Sequence, residues 1–128
     1  METKIKSSKN YLKVSDIIDS LTINPSPDAV TVLEEIGTNS SIDEVREMTA
    51  RALVKRNEPA SLTVVISHRG KGINDMSTSV AMSTINCLLS LEDKQEAMRI
   101  LENTISGEEF EEDVRENARS VKALMALS

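Results

Sequence analysis

His68 is the one histidine and Cys87 the one cysteine in this chain of 128 residues. A nucleophile–base pair between them requires that the fold bring them together. Ser67 adjoins His68, but neighbours on a helix point about 100° apart, so they make no hydrogen-bonded pair there. Cys87 falls on a stripe expected to be buried, where a thiol acts as a small core residue. The chain contains no His-Glu-x-x-His, P-loop, Gly-x-Ser-x-Gly or dinucleotide fingerprint. Enzymatic catalysis is therefore not expected. With one cysteine and one histidine, neither a thiolate metal site nor a cofactor-binding set is expected.

The most distinctive short stretch is Ser67-His68-Arg69-Gly70-Lys71-Gly72. Glycine amides beside Arg69 and Lys71 form a chemistry suited to a phosphate or carboxylate. Basic residues ahead of a glycine also suit the C-terminal end of a helix, whose dipole they complement. Arg46, Arg51, Lys55 and Arg56 on the preceding helix extend the positive area, with the Arg56 stem expected to lie over the core edge. Glu108-Glu109-Phe110-Glu111-Glu112-Asp113 has the acid density of a cation site, but not the alternating ligands and central glycine of a calcium loop. Acids ahead of a helix are favoured by its positive end, and Phe110 is expected to staple that turn.

The elements that position these residues follow a repeat. Val45 is followed at +4 and +7 by Thr49 and Ala52, Val80 by Thr84 and Cys87, Val114 by Ala118 and Val121, and Val14 by Ile18 and Leu21. The anchors are 31, 35 and 34 residues apart. Offsets of 4 and 7 share one helical face, so each segment predicts an amphipathic helix. A second pattern interleaves with the first: Ala29-Val30-x-Val32-Leu33, Ser61-Leu62-x-Val64-Val65 and Ala97-Met98-x-Ile100-Leu101. Two helix types therefore alternate, giving seven helices. A period of this length points to stacked helical hairpins.

Turn chemistry supports the boundaries. Ser26-Pro27-Asp28 supplies an N-cap, a proline at the first helical position and a favourable acid. Ser41-Ile42-Asp43-Glu44 reads as a capping box. Glu58-Pro59 opens another helix, Asn74 or Asp75 is expected to cap the helix carrying Val80, and Asp93 resets the chain before Ala97. Gly37, Gly70 or Gly72, and Gly107 each fall where a left-handed residue is expected after a helix of the second type.

Val45-Arg46-Glu47-x-x-Ala50-Arg51-Ala52-Leu53 and Val114-Arg115-Glu116-x-Ala118-Arg119, each preceded by acids, resemble the first helix of HEAT repeats in their short form. Ser79-Val80-Ala81 departs from that pattern by lacking the arginine. The aromatic positions of tetratricopeptide repeats and the Thr-Pro-Leu-His of ankyrin repeats are missing. The resemblance implies an all-α, HEAT-like α-solenoid of about seven helices over residues 11–128, behind a basic flexible leader at 1–10. An irregular helical bundle is the alternative. It further implies scaffold or adaptor work, some short members being bilin lyases or their chaperone-like relatives.

Composition agrees with helices. One Tyr, one Phe and no Trp argue against β-sandwiches and barrels and against base-stacking platforms. The net charge of −6 is laid out in blocks: residues 14–44 hold seven acids and no base, and residues 45–72 hold six bases and two acids. Asp75 is the sole charge in 73–91. Such alternation suits charge-steered protein contact. No signal peptide and no apolar run near the roughly 18 residues of a membrane span is visible, so a cytoplasmic protein is expected.

The functional expectation is a non-catalytic adaptor that binds another protein through its helical faces. A second route is the C-terminal helix, where Leu124 and Leu127 end an apolar run with no helix after it and invite self-association or docking. The other reading is phosphate-backbone binding through Arg51, Lys55, Arg56, Arg69 and Lys71, which the overall acidity opposes.

Overall fold

The structure, a computed structural model, describes residues 8–68 and 72–127. Among them it contains seven α-helices: α1 (Ser8–Ile23), α2 (Asp28–Asn39), α3 (Asp43–Arg56), α4 (Pro59–Ser67), α5 (Thr78–Leu89), α6 (Gln95–Ser106) and α7 (Glu112–Leu127). A short 3-10 turn at Ile73–Asp75 precedes α5. No strand occurs among the described residues, so the fold is all-α. Helix α1 begins at Ser8, inside the span read as a leader, while residues 1–7 lie outside the described residues.

The sequence periods coincide with burial. Ile18, Thr49, Thr84 and Ala118, the +4 positions of the odd-numbered helices, are all buried. In the even-numbered helices Ala29, Ser61 and Ala97 are buried, as are Leu33, Val65 and Leu101. Threonine fits the apolar layer because its hydroxyl is satisfied within its own helix. Thr49 Oγ1 donates to the Val45 carbonyl at 3.1 Å, and Thr84 Oγ1 to the Val80 carbonyl at 2.8 Å.

The helices pack in two sequences. Helix α1 packs on α3, α3 on α5 and α5 on α7, while α2 packs on α4 and α4 on α6. Side-chain bonds fasten the odd-numbered helices end to end. Ser77 Oγ donates to Asp43 Oδ2 at 3.3 Å where α5 and α3 begin, and Asn57 Nδ2 donates to the Asp93 carbonyl at 2.9 Å where both have ended. Helices α3 and α5 therefore run parallel, tied at both ends. Arg56, at the end of α3, reaches the Leu21 carbonyl near the end of α1. These three ties span 34, 36 and 35 residues, close to the sequence period.

Several caps differ from expectation. Ser26 Oγ accepts from the Asp28 amide at 3.2 Å, but the N-cap position of α2 falls on Pro27 and carries no side-chain bond, one residue later than expected. At α4, Pro59 occupies the first turn and Ser61 Oγ accepts from the Glu58 amide at 3.1 Å. The capping box at Ser41 does not form: Ile42 holds the N-cap position without a side-chain bond, and Ser40 Oγ accepts from the Ile42 amide. Ser77, not Asn74 or Asp75, caps α5 by accepting from the Val80 amide at 3.4 Å. Asn74 and Asp75 lie in the 3-10 turn, where Asn74 Oδ1 accepts from Asn117 Nδ2 of α7.

The glycines serve close packing instead of left-handed caps. Gly37 is helical, and a Cβ there would stand 2.5 Å from Thr49 Oγ1 on α3. Gly107 is extended at φ −80° and ψ 117°, and a Cβ there would stand 2.8 Å from the Phe110 ring. Gly70 lies outside the described residues. The left-handed cap belongs to Asn57 at φ 51°, after α3. No helix among the described residues is long and apolar enough to cross a membrane.

Candidate functional site

The described cationic residues among those named from the sequence do not form one patch. Arg56 is the clearest departure, with a side chain only 2% exposed. Its Nη1 donates to the carbonyls of Leu21 at 2.7 Å and Asn24 at 2.6 Å, and its Nη2 to that of Ser26 at 3.2 Å. The guanidinium thus turns inward and closes the α1–α2 junction, where its charge is fully engaged. Arg46 is half-buried, and its Nε donates to the Ser40 carbonyl at 2.7 Å just beyond α2. Arg115 does the same one motif later, with Nε 3.1 Å from the Ile105 carbonyl near the end of α6. The two Val-Arg pairs are therefore backbone caps for the preceding helix, a role in which a cation is favoured.

Arg51 and Lys55 are exposed on α3, Arg51 in an ion pair with Glu47 at 3.4 Å. His68 is exposed at the end of α4, its Nε2 3.4 Å from Glu34 Oε2. Arg69 and Lys71 lie outside the described residues.

Ser67, His68 and Gly72, the described residues of that stretch, and the acidic run, far apart in sequence, border one cleft of about 440 Å³, where Glu109, Phe110 and Asp113 stand opposite. The Gly72 amide is not offered to a ligand, since it donates to the His68 carbonyl at 2.8 Å. Ser67 Oγ donates to the Thr63 carbonyl at 3.2 Å. Phe110 folds back over Gly107 and closes the α6–α7 turn, as a staple should. No group of His, Cys, Asp and Glu among the described residues is arranged to hold a metal ion.

Helix α7 buries Val121 and Met125, while Leu124 is 45% and Leu127 86% exposed. Of its outward charges, Arg119 pairs within the helix, its Nη1 2.5 Å from Glu116 Oε1 and 3.2 Å from Glu112 Oε2, whereas Lys122 reaches Glu102 Oε2 on α6 at 3.5 Å. The hydrogen bonds that Arg119 donates to Glu116 and then Glu112 raise its pKa above the ordinary value.

A second surface was not singled out from the sequence. Between α3 and α5 runs an open groove of about 700 Å³. Glu47, Arg51 and Lys55 line one side; Ser79, Met82, Ser83, Asn86 and Cys87 line the other. Val54, Ser90 and Leu91 complete the lining. Cys87, expected on the buried stripe, is only half-buried here, and Met82 is 56% exposed. The signal that could have located this surface is the absence of charge in α5, which leaves one wall neutral beside a cationic one.

No family model, curated protein or solved structure matches this chain.

Proposed function

We propose that this chain is a non-catalytic protein-interaction module, a short HEAT-like solenoid acting as an adaptor in the cytoplasm. The observation that carries this reading is the α3–α5 pair: parallel helices, fastened by Ser77–Asp43 and Asn57–Asp93, that hold an open groove between them. A fixed, extended surface suits a macromolecular partner, because little ordering is needed on binding. Ties spaced by one sequence period support the repeat reading, since in a solenoid each unit contacts its neighbours. Leu124 and Leu127 offer a second, apolar patch, suited to a second copy or a further partner. Nucleic-acid binding has weaker support: of its five cations, Arg56 is buried in backbone contacts, and the described remainder is Arg51 and Lys55.

The test is affinity capture on the immobilised full chain from a nuclease-treated extract, beside Met82→Asp and Leu124→Ser variants. Retention of a protein that one of these substitutions abolishes is the expected result. Retention that disappears with nuclease treatment overturns the reading.

A further inference from the structure

We propose that the α3–α5 groove receives an acidic amphipathic helix of a partner protein, its apolar side chains seated on Met82 and beside Cys87 and its carboxylates facing Arg51 and Lys55. This inference rests on the reading above and narrows it to one occupant.

Charge is the first argument. The chain carries −6 overall, yet the groove lining holds Arg51 and Lys55 against a single acid, Glu47, which is already paired with Arg51. The α5 wall contributes Ser79, Ser83, Asn86 and Ser90, all uncharged. An approaching acidic segment therefore meets no carboxylate on α5, and on α3 it meets Arg51 and Lys55 beside one acid, Glu47, a net charge of +1 for the groove lining. Lys55 and Arg51 lie one turn apart, matching carboxylates spaced by one turn on the incoming helix. Two cations are too few for a nucleic-acid backbone, and the surrounding negative charge repels a polyanion, whereas a short acidic segment engages both locally.

Apolar chemistry is the second argument. Met82 stands largely exposed on the rim, above the buried Val54 and the half-buried Cys87 and Leu91. Methionine is flexible and polarisable, which suits an apolar contact that must accommodate a partner side chain. Hydroxyl and amide side chains along the same wall are small enough for a helix backbone to approach, and they donate hydrogen bonds.

Length is the third. From Ser79 to Ser90 the wall extends about 16 Å, the rise of three helical turns. The parallel walls present the kind of trough into which an amphipathic helix lays one face. The ties at both ends hold that trough open before the partner arrives.

Cys87 is the chain's one cysteine, so its thiol reports occupancy of the groove directly. The probe is a synthetic acetylated peptide of three to four turns, with leucines on one face and glutamates on the other. Its controls are a scrambled peptide of the same composition and the same helix with lysines replacing the glutamates. Reaction of the folded full chain with a disulfide reagent is followed with and without each peptide. The expected result is that saturating acidic probe slows modification of Cys87 several-fold and that both controls do not. Arg51→Glu with Lys55→Glu is expected to weaken probe binding by about tenfold or more, with helix content retained and the thermal midpoint lowered only modestly through loss of the Arg51–Glu47 pair and of a base at the end of α3.

Unaltered Cys87 reactivity at saturating probe overturns the proposal, as does equal protection by the lysine peptide. Displacement of the probe by single-stranded RNA, or a fall in solution mass on charge reversal that marks a second copy as occupant, also overturns it. If a protein is captured through the Met82 surface but the acidic probe gives no protection, this inference fails and the interaction-module reading stands. If nothing is captured and nothing protects, both fail.

Discussion

Arg56 and Glu58 meet fork to fork at the α3–α4 junction, Nε 3.0 Å from Oε1 and Nη2 3.4 Å from Oε2. The remaining Arg56 donors go to three carbonyls of the α1–α2 junction. Removing the side chain leaves those carbonyls and a carboxylate without their partner. Arg56→Ala is expected to cost about 2–4 kcal/mol in urea unfolding. Arg56→Lys keeps the charge but not the planar fork, and should recover less than half of the loss. Full stability in Arg56→Lys would show that charge alone suffices there.

Gly37→Ala separates close packing from helix propensity. At an open helical site this change stabilises by about 0.5–1 kcal/mol. Here the new methyl meets Thr49 Oγ1 at 2.5 Å, so a loss of about 1–3 kcal/mol is expected. Thr49→Ala in the same chain should recover part of it, a coupling measurable in a double-mutant cycle.

Arg46→Ala and Arg115→Ala each remove one backbone cap, donated to Ser40 and Ile105. Each should cost about 1 kcal/mol. Because they serve different helix junctions, the double variant should lose the sum; a clearly larger loss in denaturant titration would reveal communication between the two ends.

On α7, burial decides the outcome. Met125→Ala is expected to cost about 2–4 kcal/mol, since Met125 is buried. Leu124→Ser and Leu127→Ser should leave the thermal midpoint nearly unchanged, because both side chains are exposed. Where the wild-type chain self-associates through this patch, light scattering will show the two serine variants at monomer mass.

The periodic apolar positions made the helices legible. Every +4 residue read from the sequence is buried, from Ile18 to Ala118, because helical spacing alone decides which side faces the core. What the sequence concealed depends on partners distant along the chain. Arg56 reads as a surface cation until the carbonyls of Leu21, Asn24 and Ser26 converge on it. Gly37 reads as a helix stop until Thr49 is found against it. Cys87 sits on the correct face, but the walls around it open enough to leave it half-buried. Arg46 and Arg115 were visible as a motif, yet their target, the end of the preceding helix, appears only once the junctions are closed.

Among the described residues the extensive contacts between α-helices join partners no more than two places apart in the chain, while the 3-10 turn before α5 also reaches α7. Such wiring leaves few direct contacts between the first and last helices. Damage at one extremity can peel away there while the opposite extremity keeps its shape. A partner clasping α3 and α5 would therefore act as a splint across the middle, stiffening what lies on either side without touching it.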